Sequence, residues 1–148
     1  MFKLLRLIRQ LRMVDDMAFG KRAGIRFRFI GAPTYSKVGS EDEKEYYTVP
    51  IFYRHPRPYD PDRIAIHEVR HRVQHNNPDM RLLTPDDEDL PDDFKEFLRG
   101  NIRPEVQLTL RETDAQLFDE LAYPTFMAGD TKSFLKLLFY GTNLQSPR

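Results

Sequence analysis

The sequence predicts a domain of mixed α and β structure. Three observations predict it: basic residues every third position among apolar ones in the first dozen residues, a period-two alternation at Ile25–Ile30, and two longer helical patterns, one after residue 60 and one from Pro104. With 148 residues, 40% hydrophobic and 12% aromatic, the chain has the size of one compact domain with a real core, and a single domain over residues 1–148 is expected.

Composition removes several functions. Lys plus Arg and Asp plus Glu are 23 each, so no global field recruits nucleic acid or an anionic membrane, and no nucleic-acid partner is expected. There is no cysteine, which excludes disulfides, thiolate zinc sites and cysteine nucleophiles; any metal falls to His, Asp or Glu. A cytoplasmic location agrees with that composition. No apolar run approaches the ~20 residues of a membrane span.

Taking the elements in order, Lys3, Arg6, Arg9 and Arg12 alternate with Leu4, Leu5, Leu7, Ile8 and Leu11 at helical spacing, as expected of a helix laid on a sheet; a membrane-surface or acidic-partner helix is the sharper alternative. Gly20 and Gly24 bracket a break. Ile25–Ile30 reads as a strand with one buried face, closed by Gly31-Ala32-Pro33. Ser36 to Lys44 is a polar loop or hairpin connection, and Glu45–Tyr53 resumes β composition. Pro50 has no ladder donor, so this strand is expected at a sheet edge, where Thr48, Val49 and Ile51 would pair with an extended peptide or protein substrate. The bland reading of the same proline is an edge blunted against aggregation.

Asp60 before Pro61 is an N-cap and first-position pair, and Asn77-Pro78 stops the helix that follows at about Asn76. The acidic cluster Thr84–Asp93 lacks EF-hand spacing and reads as solvated acids around helix starts. Phe94, Phe97 and Leu98 suggest a short helix ended by Gly100. The longest helix is predicted from Pro104 to about Ala122, ended by Tyr123-Pro124, and a last apolar helix over Ser133–Tyr140 is stopped by Gly141 before a tail.

The helix after Asp60 carries His67-Glu68-Val69-Arg70-His71, an HExxH motif. Residues four apart share a helical face, so the two imidazoles can aim at one metal ion while Glu68 flanks it. Zinc held by two imidazoles and a third ligand keeps a position for water and lowers its pKa, and the glutamate can take the proton. His75 continues the spacing, but a helix rises about 1.5 Å per residue, so His67 and His75 stand about 12 Å apart along the axis. Bonds of about 2 Å cannot span that. His75 therefore falls to the helix end or to supporting a ligand, and the third ligand comes from His55, a carboxylate or a second protein.

On the long downstream helix, Glu105, Thr109, Glu112, Gln116 and Asp119 form one polar stripe, with Val106, Leu110, Leu117 and Leu121 opposite. Glu112 is at its middle. Asp114 falls near the apolar side, where a carboxylate needs a reason: it is a ligand itself or a buried acceptor for an imidazole or an arginine.

His67–His71 followed by Glu112-Thr113-Asp114-Ala115 resembles the HExxH…ExxA pattern of the gluzincin metallopeptidases, especially the minigluzincins and the ImmA/IrrE-like peptidases. Glu112 through Phe118 to Pro124 looks like the ExEANxFA…P stretch of the latter, and the likeness covers Tyr46 to Pro124. The resemblance implies an α+β, zincin-like fold: an N-terminal helix, a small twisted sheet, the metal helix across its concave side, a second helix bearing Glu112, and a C-terminal helical lobe. It implies a zinc peptidase in which His67, His71 and Glu112 bind Zn2+ and Glu68 is the catalytic base. Gln116 stands where family members often carry an Asp or Asn orienting a histidine, and its carbonyl can do the same. Tyr123, His75 and Arg70 are candidates for stabilising the oxyanion. Arg70 and Arg72 depart from the uncharged residues usual in the family, and they support the alternative of a catalytically inactive zincin-like peptide-binding module.

Overall fold

The computed structural model describes residues 2–21, 26–30, 37–41, 44–50, 60–84 and 110–142. Expectations for Gly24, Gly31–Pro33, Ile51, His55, the acidic cluster beyond Thr84, the Phe94–Gly100 helix, residues 104–109 and the tail from Asn143 lie outside them. The described residues are mostly helical with a small sheet, an α+β content, and the chain divides into two compact units, Met1–Asn76 and Asn77–Arg148.

In the first unit, α1 (Phe2–Phe19) buries Leu7, Leu11 and Val14, one stripe at four- and three-residue steps. Gly20, at φ +84°, ends it, with its N–H donated to Asp16 O at 2.9 Å. The stripe faces chiefly another helix, α2, rather than a sheet. α1 reaches the sheet through side chains: Tyr47 donates to Asp15 Oδ1 at 2.8 Å, and Arg12 stands 5.4 Å over the Phe27 ring.

The sheet is β1 (Arg26–Ile30), β2 (Lys37–Glu41) and β3 (Lys44–Pro50), in the order β1-β3-β2. β1 runs parallel to β3, Arg26 opposite Tyr46 through Ile30 opposite Pro50. β2 folds back antiparallel on β3, so the polar stretch before Lys44 is a hairpin arm. This overturns the edge assignment made from Pro50. β3 is the middle strand of the three, and Pro50 is its last residue, where a missing N–H interrupts no interior rung of the ladder. Thr48 is paired on both sides, with Arg28 and Lys37, and Val49 is buried opposite Phe29. Neither offers a free edge to a peptide.

α2 (Pro61–Asn76) begins and ends where its caps predict. Asp60 Oδ1 accepts the N–H of Asp62 at 3.0 Å and of Arg63 at 3.3 Å, and Pro61 occupies the first turn, where no N–H is needed. Arg6 and Gln10 of α1 donate to the buried Asp62 carboxylate at 3.1 and 2.6 Å and so brace that end of α2. Ile64, Ala65, Ile66, Val69 and Val73 complete the core with Tyr47 and Val49.

In the second unit, α3 (Leu110–Met127) and α4 (Thr131–Leu138) pack through Phe134, whose ring lies 6.0 Å from Phe118 and 5.2 Å from Phe126. The expected stop at Tyr123-Pro124 does not occur. Pro124 sits inside the helix, removing one donor, and the helix carries on for another turn because Ala128 N–H bonds Pro124 O at 3.0 Å and Phe126 packs on Phe134. Packing outweighs the local preference against helix before proline. The stop comes at Gly129, φ +75°: Gly129 donates to Phe126 O and Asp130 to Thr125 O, the paired bonds of a Schellman turn. Residues 81–83 are tied to α3 and to the turn that follows α4. Leu83 N–H donates to the buried Asp114 carboxylate at 2.7 Å, and Arg81 N–H to Gly141 O at 2.9 Å.

Candidate metal centre

The first unit holds a complete half-site. The single helical turn between His67 and His71 places their imidazoles edge to face, ring centroids 4.8 Å apart, with the two Nε2 atoms 3.2 Å from each other. Two nitrogens at about 2.0–2.1 Å from one tetrahedral zinc stand about 3.3–3.4 Å apart. Both rings are half-buried, so they are held on one side and accessible on the other.

His71 is oriented by a residue that sequence reading passed over. Its Nδ1 lies 2.8 Å from Oε1 of Gln74, a buried side chain with 1% exposure. An amide oxygen only accepts, so in this contact Nδ1 is the donor, and in a neutral ring that leaves Nε2 as the bare nitrogen. The signal was present in the spacing: position i+3 shares the face of His71. His75, which continues the four-residue spacing, is exposed at the end of α2.

Glu68 is buried, at 5% exposure. Arg72 is almost wholly buried: it forms an ion pair with Asp15 of α1, donates through Nε to Glu45 Oε2 of β3 at 2.5 Å, and stacks its guanidinium 4.3 Å from the Phe19 ring centroid. Burial alone would lower the Arg72 pKa, but the hydrogen bonds and charges of Asp15 and Glu45 outweigh it and raise it. The Tyr47 phenol is pushed well above its ordinary value, first by burial and then by the Asp15 carboxylate, with Glu68 adding to the rise. It stays a neutral donor to Asp15. Arg72 is thus a clamp joining α2 to α1 and β3, and Arg70 is fully buried in the same unit.

In the second unit, α3 carries the remaining candidates. Glu112 and Gln116 are half-buried, as is Tyr123, which lies within the helix rather than after it. Asp114 is fully buried and accepts the Leu83 N–H, so one of its oxygens serves the backbone. Asp119, placed by the stripe on the polar face, is buried, whereas Leu110, placed on the apolar side, is 73% exposed. The apolar face turns on Ala115, Phe118 and Ala122 instead. His67, His71 and Glu112, each offering one ligand atom, are a group that could hold a metal ion. Two nitrogens and a carboxylate oxygen are a donor set suited to zinc.

Among the described residues no helix is long and apolar enough to cross a membrane. Compared with family models, curated proteins and solved structures, the chain finds no match in any of the three.

Proposed function

We propose that this chain is a zinc-dependent peptidase of the gluzincin type, with a zincin-like fold, in which His67, His71 and Glu112 hold the metal and Glu68 is the general base. One observation carries the reading: two imidazole Nε2 atoms 3.2 Å apart, on a motif that also carries Glu68. Zinc bound by such ligands supplies a Lewis acid and lowers the pKa of a water molecule. The protein's own part is proton handling and orientation. His67 and His71 bring their Nε2 atoms to a common point, and Gln74 Oε1 lies against the other ring nitrogen of His71. Glu68 takes the proton from water at its carboxylate as the peptide carbonyl is attacked, and returns it to the leaving amine. Burial keeps that carboxylate away from bulk water, which strengthens its field on the reacting atoms.

The competing reading, an inactive scaffold that only binds peptides, draws on the arginines beside the motif. Arg72 is engaged by Asp15 and Glu45, which accounts for its charge without recourse to a peptide ligand.

Elemental analysis of protein purified without added zinc tests the ligands. Wild type is expected to carry stoichiometric zinc and both His67→Ala and Glu112→Ala to lose it; equal zinc content in the three proteins overturns the ligand set. A peptide library derived from a proteome digest, read by mass spectrometry, tests the chemistry. Glu68→Gln should retain zinc and cut the library about 10²–10⁴-fold more slowly. Zinc-loaded wild type that cleaves nothing in the library would leave the binding module as the better description.

A further inference from the structure

We propose that Gln74 is the positioning residue of the metal centre: by accepting the Nδ1 proton of His71 it locks this ring in the one neutral tautomer that can bind metal through Nε2. The inference rests on the metal-site reading above and adds to it a residue outside the HExxH and ExxA motifs.

The argument is one of proton counting. A neutral imidazole carries a single ring proton, and whichever nitrogen holds it cannot ligate. The nitrogen of His71 that approaches His67 is Nε2, at 3.2 Å, so Nε2 must be the bare one for both rings to serve the same ion. Histidine free in water leans toward the opposite tautomer, with the proton on Nε2. A partner at Nδ1 that accepts and cannot donate reverses that preference, and Gln74 Oε1 at 2.8 Å is such a partner. Position and burial make it effective. Gln74 lies on the same helix three residues on, so its distance from His71 is fixed by the turn itself. At 1% exposure it has almost no water to compete for the imidazole proton. The same bond fixes the ring's rotation about its side-chain axis, so the lone pair points where the partner histidine points.

A positioning role predicts effects that a merely structural one does not produce. Gln74→Met keeps the side-chain volume and removes the acceptor; Gln74→Glu keeps an acceptor. Long-range ¹H–¹⁵N spectra of the metal-free protein, at a pH where the histidines are neutral, read the His71 tautomer directly. Wild type should show the proton on Nδ1, Gln74→Met should shift toward Nε2–H, and Gln74→Glu should stay on Nδ1–H. Zinc affinity, measured by chelator competition, should fall about tenfold to a hundredfold in Gln74→Met and stay within a few-fold of wild type in Gln74→Glu. A folded Gln74→Met protein with an unchanged tautomer, or with wild-type zinc affinity, overturns the proposal. If circular dichroism shows that Gln74→Met does not fold, Gln74→Glu decides: a tenfold loss of zinc affinity, or loss of the Nδ1–H state, overturns it. Wild type that binds no zinc sinks the metal-centre reading, and the tautomer spectra then judge the Gln74 bond separately.

Discussion

Two helices of this molecule are built on opposite plans. α4 buries Phe134, Leu135 and Leu138 and exposes Lys132 and Lys136, an apolar stripe with a charged back. α2, twice as long, buries Asp62, Glu68, Arg70, Arg72 and Gln74 among its apolar residues. An unsatisfied buried polar group costs about 1–3 kcal/mol and a buried unpaired charge more, so α2 is stable only while each such group keeps its partners. α4 buries apolar side chains alone, whereas α2 gives buried surface to polar ones that meet α1, β3 and, through Gln74, the His71 ring. α2 should therefore fail through single partner deletions and recover through double ones, whereas α4 should fail by lost volume alone.

The largest effect on stability is expected at the clamp. Arg72→Met leaves the Asp15 carboxylate, 1% exposed, without its cation, and should lower unfolding free energy by about 3–5 kcal/mol in urea titrations. Adding Asp15→Asn should recover much of the loss, because the buried charge goes with its partner. A single variant within 1 kcal/mol of wild type would show that the two helices do not differ in this way. On α4, Leu138→Ala should cost about 2–4 kcal/mol, and no polar substitution at a neighbouring position should restore it.

A smaller loss is expected just past α4. Gly141 has φ +85°, and a Cβ there would stand 2.0 Å from the Arg81 carbonyl oxygen, so Gly141→Ala should destabilise by about 1–3 kcal/mol, visible as a lowered thermal midpoint. The smallest effect belongs to the α4 cap. Asp130 Oδ1 accepts the Ser133 N–H at 3.2 Å, and hydrogen bonds from the Ser133 side chain and backbone hold its carboxyl below the usual value. A lowered folded pKa gives stabilisation that is complete above the unfolded carboxylate pKa and lost as pH falls through the folded value. Asp130→Ala should therefore melt slightly below wild type at neutral pH and converge with it in acid; a gap that widens in acid contradicts the cap.

Much of α2 could be read in advance. The Asp60-Pro61 start, the Asn77-Pro78 stop and the HExxH spacing are local features, decided within a turn or two by capping and periodicity, and the helix obeys them. Two prolines illustrate the opposite case. By local rules Pro50 marks an edge, yet β3 is flanked by β1 and β2; Pro124 ends a helix, yet α3 runs on to Met127. In each, contacts with residues distant in sequence outweigh a local penalty. The Arg72 charge is a related case: its role is set by the partners that reach it, Asp15 and Glu45 from elsewhere in the first unit.

By itself, then, the sequence determined the caps of α2, the one-turn spacing of His67 and His71, the impossibility of His75 joining them on one ion, and the absence of any thiolate ligand. These follow from bond lengths, helical rise and composition. Only the tertiary structure decided that β3 lies between two strands and that Arg72 is consumed in a buried ion pair with Asp15 and a hydrogen bond to Glu45. Those depend on which groups meet after the chain has buried its apolar faces, and no local rule contains that information.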